Sequence, residues 1–293
     1  MTYSIVAHDP KSGEFGVAVQ SHFFQVGPVV PWARAGVGAV ATQADADIRY
    51  GPLGLDLMAA GYTAGRALAA ALAADSKPET RQVALVDRES QVAVHTGAKC
   101  IREAGHHVGA GYSVQANMME KATVWRAMAV AFEGTAGSLA ERMMAALEAA
   151  EVEGGDIRGR QSAAMLVVDG TLHPGWWEGR LIDLRVEDHP EPLVELRRLL
   201  QVKRTYEAVG SAEAALHGNE PQAATLTTRA LDSAQDNIEL RFWLALDMAA
   251  QDNVEAAIPL LRDAIRQDER WLELLRRLPP ADLLKPELLA QLE

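Results

Sequence analysis

The first residue of this chain able to do covalent chemistry stands at its very start. Thr2 follows Met1 and opens the run Thr2-Tyr3-Ser4-Ile5-Val6-Ala7. A threonine hydroxyl is a poor nucleophile at neutral pH and needs a base beside it. A free α-amine, with a reference pKa of about 7.7–8.0, is carried by the same residue and can take the proton directly or through water. Thr2 is small enough for Met1 to be removed, so exposing that amine would need no autoproteolysis. The chemistry implied is amide hydrolysis: attack by Thr2, a tetrahedral oxyanion, release of the amine and deacylation by water. Position alone is weak support, because most threonines that follow Met do no chemistry.

Other polar residues fall where such a reaction would use them. The amides of Gln43 and Asn117 could donate to an oxyanion, or each could simply be structural. His95, in Val94-His95-Thr96-Gly97, closes a strand where ligands often bind; a hydrogen-bonded structural histidine is the plainer alternative. The densest polar stretch is Asp156-Ile157-Arg158-Gly159-Arg160-Gln161-Ser162. There Asp156, Arg158 and Gln161 could hold the ammonium and carboxylate of an amino-acid-like substrate, with arginine pairing bidentately. A buried Asp–Arg clamp explains the same residues equally well. The eight histidines include no HExxH pair and no ligand-spaced set, so no metal site is expected, and His106 and His107 would point to opposite faces of a strand.

Positioning these groups falls to a strand-rich first part. Two apolar runs, Tyr3 to Ala7 and Phe15 to Val19, flank Asp9-Pro10-Lys11-Ser12-Gly13 and read as a β-hairpin. The prolines of residues 26–34 predict an extended connection, and the small and β-branched residues 35–43 a strand. Residues 53–74 are Ala- and Leu-rich and read as helix with a break near Gly61. Residues 82–87 and 91–97 form a second hairpin, and 105–114 hold one further strand. Helices are expected at 121–132 and 139–151, and strands at 162–168 and 181–186. Strands and helices in such blocks favour an α+β architecture with antiparallel sheets over a doubly wound one. No GxGxxG or GxxxxGK[ST] opens a helix, so no nucleotide cofactor is expected.

Beyond Pro190-Glu191-Pro192 the chain changes to helix formers. Residues 222–236 resemble 255–269 at an offset of 33, with a helix carrying Phe242, Trp243 and Leu246 between them. Helix pairs at that period suggest a tetratricopeptide-like module; an ordinary helical bundle is the alternative. Either would be a packing or protein-interaction unit.

Composition narrows the partners. The 293 residues are 48% hydrophobic, enough for a sizeable core, and carry a formal charge of −12. That charge argues against nucleic acid and anionic membranes. The single cysteine, Cys100, excludes an intramolecular disulfide framework and fits a reducing cytoplasm. Residues 1–20 lack a signal-peptide apolar region, and residues 26–43, with Pro28, Pro31 and Arg34, cannot form a spanning helix.

The segments TYSIVAHDP, GVAVQSHF, VGPVVPWARAGVGAVATQA, RQVALVD, VHTG and GGDIRGRQSAAMLVV occur in this order. Together they resemble a bacterial family of unknown function (domain of unknown function 1028) assigned to the N-terminal nucleophile hydrolases. The resemblance runs from residue 2 to about 190 and implies the four-layer αββα sandwich of that superfamily, whose members hydrolyse amide bonds. In threonine-type relatives a hydroxyl cluster ends the second strand beside the nucleophile. The matching place here is Gln20-Ser21-His22, where Ser21 could hydrogen-bond the amine or the Thr2 hydroxyl, or be an ordinary strand-end serine. In proteasome-like relatives an Asp on that strand and a Lys on the next tune the amine. This chain has Gln20 instead, with Arg34 as the basic counterpart. The expectation is thus an Ntn-hydrolase-like domain over 1–190 and a helical domain over 191–293, acting on a small amide or peptide. Self-association is left open. A non-catalytic ligand-binding or scaffolding member of the same fold is the alternative.

Overall fold

The computed structural model describes residues 2–292. The first part of the chain runs β1 (Thr2–His8), β2 (Phe15–Ser21), β3 (Pro31–Arg34) and β4 (Gly38–Ala44), then helices α1 (Tyr50–Ala59) and α2 (Ala64–Ala73). Strands β5 (Arg81–Asp87), β6 (Val92–Thr96), β7 (Gly105–Gly109) and β8 (Tyr112–Asn117) follow, then α3 (Val124–Gly134) and α4 (Leu139–Val152). β9 (Ser162–Val168) and β10 (Arg180–Val186) complete the sheets. All pairings are antiparallel: one sheet has the order β10-β9-β2-β1-β8-β7, the other β3-β4-β5-β6.

The opening hairpin sets the frame. β1 and β2 pair without a slip from Thr2 opposite Ser21 to His8 opposite Phe15. Its turn is closed by Asp9, whose carboxylate accepts from the Lys11 N–H at 3.0 Å and whose carbonyl accepts from the Gly13 N–H at 2.7 Å. Gly13 supplies the left-handed φ of +78°. β1 is central, and every one of its residues but the last, His8, is buried. One face of the larger sheet, through Val6, Val17, Val19 and Leu166, packs on Ala39, Ala41, Ala84 and Val86 of the smaller. The smaller sheet's other face, Val40, Val83 and Leu85, packs on α1 and α2 through Leu55, Met58 and Leu68. On the larger sheet's outer face Gly16 meets Met143 and Leu139 of α4 so closely that a Cβ there would lie 2.4 Å from the Met143 methyl.

Two expectations change. Residues 31–34 are a strand, β3, rather than a connection: Pro31 stands at the first position of an edge strand, where a missing N–H breaks no ladder. The single strand expected over 105–114 is a hairpin, β7–β8, turning at Gly111 with φ +73°.

The chain divides into two compact units, residues 1–199 and 200–293. The second holds most of α5 (Pro192–His217) with α6 (Ala223–Ser233), α7 (Ile238–Ala250), α8 (Val254–Gln267), α9 (Arg270–Arg277) and α10 (Pro286–Leu292). Phe242, Leu244, Leu261 and Leu275 form its centre, and Phe242 lies 4.6 Å from the Trp271 ring. Among the described residues no helix is long and apolar enough to cross a membrane.

Candidate functional site

Because β1 lies between β2 and β8, Thr2 is flanked on both sides, opposite Ser21 and opposite Asn117. Residues directly opposite in a ladder share a face, so all three side chains look toward the smaller sheet. The Thr2 and Ser21 hydroxyls lie 3.0 Å apart in the interior, either able to donate. Thr2 itself is 5% exposed.

Across the sheet interface an amide cluster grips the same residue. Gln43 Nε2 donates to the Thr2 carbonyl at 3.2 Å and to Gln82 Oε1 at 2.8 Å. Asn117 Nδ2 donates to the same two acceptors, at 3.4 and 2.8 Å. Gln82 Nε2 lies 2.9 Å from the Ala116 carbonyl and 3.0 Å from Thr96 Oγ1. Ser4 donates to Gln43 Oε1 and accepts from Gln115 Nε2, both at 2.6 Å, and Ser113 donates to Gln115 Oε1 at 3.0 Å. Ser4, Gln82, Ser113 and Gln115 escaped the sequence reading. For Ser4, Ser113 and Gln115 the signal is a polar period of two, Thr2-x-Ser4 and Ser113-x-Gln115-x-Asn117, on strands whose intervening positions are apolar; Gln82 lies outside that pattern. Burying so many amides is tolerable only when they satisfy one another.

At the end of the sheets where β1 begins, a cleft of about 320 Å³ is lined by Asn117, Ala44, Asp45, Thr80, Lys99, Cys100 and Ile101. Asn117 Oδ1 is buried and has no hydrogen-bond partner among the described residues. Directly after Gln43 and Asn117 come Ala44 and Met118, non-glycine residues at φ +73° and +58°. Such strained backbone persists only where its surroundings over-determine it. Arg81 anchors the rim, its Nη1 donating to the Asp45 carbonyl at 2.6 Å while its Nε meets Asp75 at 2.7 Å. Burial pushes the Cys100 thiol pKa up, which keeps it protonated, and it donates to the Arg81 carbonyl at 3.4 Å.

Other sequence candidates lie apart from Thr2. Arg34 pairs with Gly38, five residues along β4 from Gln43 and so roughly 16 Å away at ~3.3 Å per residue; it reaches Asp56 at 3.6 Å. His95 pairs with Val83, on the face turned to the helices, and its Nε2 lies 2.8 Å from the Pro78 carbonyl. Gln161 donates to Asp188 at 3.1 Å on the surface. Asp156 and Arg158 form a clamp on each other, with Arg158 Nη2 2.8 Å from Asp156 Oδ2 and Arg158 Nε 3.1 Å from Oδ1. The same carboxylate accepts from the His22 N–H at 3.4 Å, and Asp156 bridges to Met119, so the clamp ties together the segments leaving β2 and β8. Gln20 alternates with Ser21 and faces the helices, opposite Tyr3, its amide without a partner among the described residues. Next to it the Tyr3 hydroxyl donates to Glu151 at 2.5 Å, and burial together with that carboxylate raises the tyrosine pKa well above the usual range. Among the described residues no three His, Cys, Asp or Glu side chains converge to hold a metal ion.

Two antiparallel sheets with a buried hydroxyl pair and an amide cluster around Thr2 define an α+β protein. The chain belongs to the family of unknown function DUF1028, whose profile matches residues 2–196. It is similar to a crystal structure of protein SPO2555 from Silicibacter pomeroyi, described there as DUF1028. The identity is 32% and the TM-score 0.61, over 68% of this chain and 88% of that one. No curated protein matches.

Proposed function

We propose that residues 1–199 form an N-terminal nucleophile hydrolase of the four-layer αββα type that cleaves amide bonds with Thr2 once Met1 is removed. The observation that carries this reading is the 3.0 Å contact between the Thr2 and Ser21 hydroxyls at the first rung of a central strand. In the reaction the Thr2 amine is the base, Ser21 relays or orients the hydroxyl proton, and the cleft beside Asn117 takes the substrate. Asn117 and Gln43 hold the Thr2 carbonyl, so they act as positioning residues; an oxyanion donor would have to come from elsewhere or from their rearrangement. The helical unit serves as a tetratricopeptide-like protein-interaction module in a cytoplasmic protein.

Intact-mass measurement tests the first requirement: a purified protein lacking Met1 is expected, and full retention overturns the mechanism. The second test is acylation by p-nitrophenyl acetate followed by peptide mapping. An acetyl group on Thr2 that is absent in Thr2→Ala is expected, and hydrolysis of an amide panel unchanged by Thr2→Ala refutes Thr2 as nucleophile.

One observation favours a second reading, a ligand-binding member of the fold without catalysis. Both candidate oxyanion amides already donate to the Thr2 carbonyl and to Gln82. Saturable binding of small amides by a protein that retains Met1 would select this reading over the first.

A further inference from the structure

The two sheets are unequal, six strands against four, and this leaves a flank of the sheet pair open. Edge strand β3 packs chiefly over β2 and β9, so edge strand β10 lies at the flank of the sheet pair. The residues of β10 that pair with Ala164, Leu166 and Val168 are Arg185, Asp183 and Arg180, the last brought into phase by a bulge before Ile182. They therefore share the face that elsewhere carries the apolar core between the sheets. Where neighbouring strands present Val, Leu and Ala, β10 presents Arg, Asp and Arg.

These side chains line a cleft of about 240 Å³, with Leu166 from the core and Trp32, Arg34, Asp56 and Trp176 among its other walls. The Trp32 N–H donates to the Val29 carbonyl at 3.0 Å, which leaves the ring as an apolar surface. Trp176 is 62% exposed, with the Arg180 guanidinium 5.2 Å from its ring centroid. Asp183 is shared by Arg180 and Arg185, each at 3.0 Å, while Arg34 reaches Asp56 only at 3.6 Å. Three guanidiniums thus face two carboxylates. Room for Arg185 comes from Gly27, where a Cβ would lie 2.8 Å from the arginine Cδ.

Inward-pointing charges on an edge strand can serve merely to block edge-to-edge pairing. That role accounts for β10 alone. It does not account for two indoles and a third arginine gathered from β3 and the β9–β10 loop around the same space.

We propose that this cleft binds a small planar aromatic carboxylate, its ring against Trp32 and Trp176 and its carboxylate on the guanidiniums of Arg34 and Arg185. The volume lies just below the range usual for ligand pockets, which suits a single six-membered ring with a short acidic arm. The site is separate from Thr2, and the proposal stands or falls independently of the hydrolase reading.

The test is calorimetric titration of the full chain with phenylacetate, acetate and 2-phenylethanol. Phenylacetate is expected to bind at least tenfold more tightly than either control. Arg34→Gln and Arg185→Gln should each weaken phenylacetate about fivefold or more while leaving 2-phenylethanol unchanged, and Trp176→Ala should weaken both ring compounds. Equal affinities for the three probes, or arginine variants that bind phenylacetate as well as the wild type, overturn the proposal. Absence of saturable binding does the same and leaves β10's charges as edge protection only. Should an arginine variant fail to fold, the wild type decides by salt: a phenylacetate affinity that does not fall between 50 and 500 mM salt refutes the charge pairing.

Discussion

Thr2 Oγ1 lies 3.0 Å from Ser21 Oγ, across the first rung of the ladder joining β1 to β2. Both groups are buried, and each is the other's immediate hydroxyl neighbour. A neutral hydrogen bond between two buried hydroxyls contributes only about 1 kcal/mol, so under the hydrolase proposal the pair's role is to orient the Thr2 oxygen.

Ser21→Ala should therefore separate orientation from stability. The melting temperature is expected to change by only a few degrees, since one neutral hydrogen bond contributes about 1 kcal/mol. Acetylation of Thr2 by p-nitrophenyl acetate should slow by roughly 100-fold or more, the lower end of what a positioned proton-transfer group contributes. An unchanged acetylation rate, followed by intact mass, would leave Ser21 as a structural residue.

Gln82 is the keystone of the amide cluster, its Oε1 accepting from both Gln43 and Asn117 at 2.8 Å. Gln82→Leu removes both acceptances and leaves two buried amide groups short of a partner. An uncompensated buried donor costs about 1–3 kcal/mol, so a loss near 3 kcal/mol is expected in urea unfolding. Gln115→Leu should behave similarly through Ser4 and Ser113, which it joins. Wild-type stability in either variant would show that the cluster is not cooperative.

The sequence disclosed the frame more readily than the site. The hairpin of β1 and β2, the break at Gly61 and the strand at 162–168 followed from local turn chemistry and apolar period. Thr2, Ser21, Gln43 and Asn117 do converge, because they terminate strands that become neighbours or face each other. What local pattern could not supply was side-chain direction over long separations. Asp156 and Arg158 bond to one another, a two-residue geometry no periodicity distinguishes from ligand binding. Arg34 sits at the wrong end of its hairpin to meet Thr2, which depends on the register of β3 with β4. The Arg-Asp-Arg face of β10 could be read only after a bulge had fixed its phase.

The left-handed residues at the cleft rim carry a different expectation. Ala44 at φ +73° and Met118 at φ +58° each bear a Cβ in a conformation that costs roughly 1–2 kcal/mol. Glycine removes that strain but adds freedom to the unfolded chain, which offsets about 0.5–1 kcal/mol. Ala44→Gly should thus be neutral or stabilising by up to about 1 kcal/mol in denaturant unfolding. A clear destabilisation would mean that the methyl is packed and the conformation is not strained.

Asp75 gives the acid limb of stability. Its carboxylate meets Arg81 at 2.7 Å and accepts from Tyr50 at 2.9 Å. The Arg81 hydrogen bond, with help from the Lys77 N–H and the Tyr50 hydroxyl, holds its pKa well below the ordinary carboxylate range. The sign follows from which state protonates first. On acidification the unfolded chain takes up its proton near the usual value of about 3.9, while the folded carboxylate stays ionised to lower pH. The stabilisation is therefore complete above about pH 5 and declines as pH falls from about 4 toward the depressed folded value. Asp75→Asn should lower stability by about 2–4 kcal/mol at neutral pH, somewhat less than the roughly 3–5 kcal/mol of breaking a fully buried pair, because Asp45 and Asp47 still neutralise part of Arg81's charge. Melting temperatures of the two proteins should converge as the pH is lowered below 4. A gap that stays constant with pH would assign the loss to packing. Because Arg81 also holds the Asp45 carbonyl, the same variant should loosen the cleft rim. Faster hydrogen exchange is expected at residues 44–47 relative to β5, and an unaltered rim would separate the Arg81–Asp75 pair from the site.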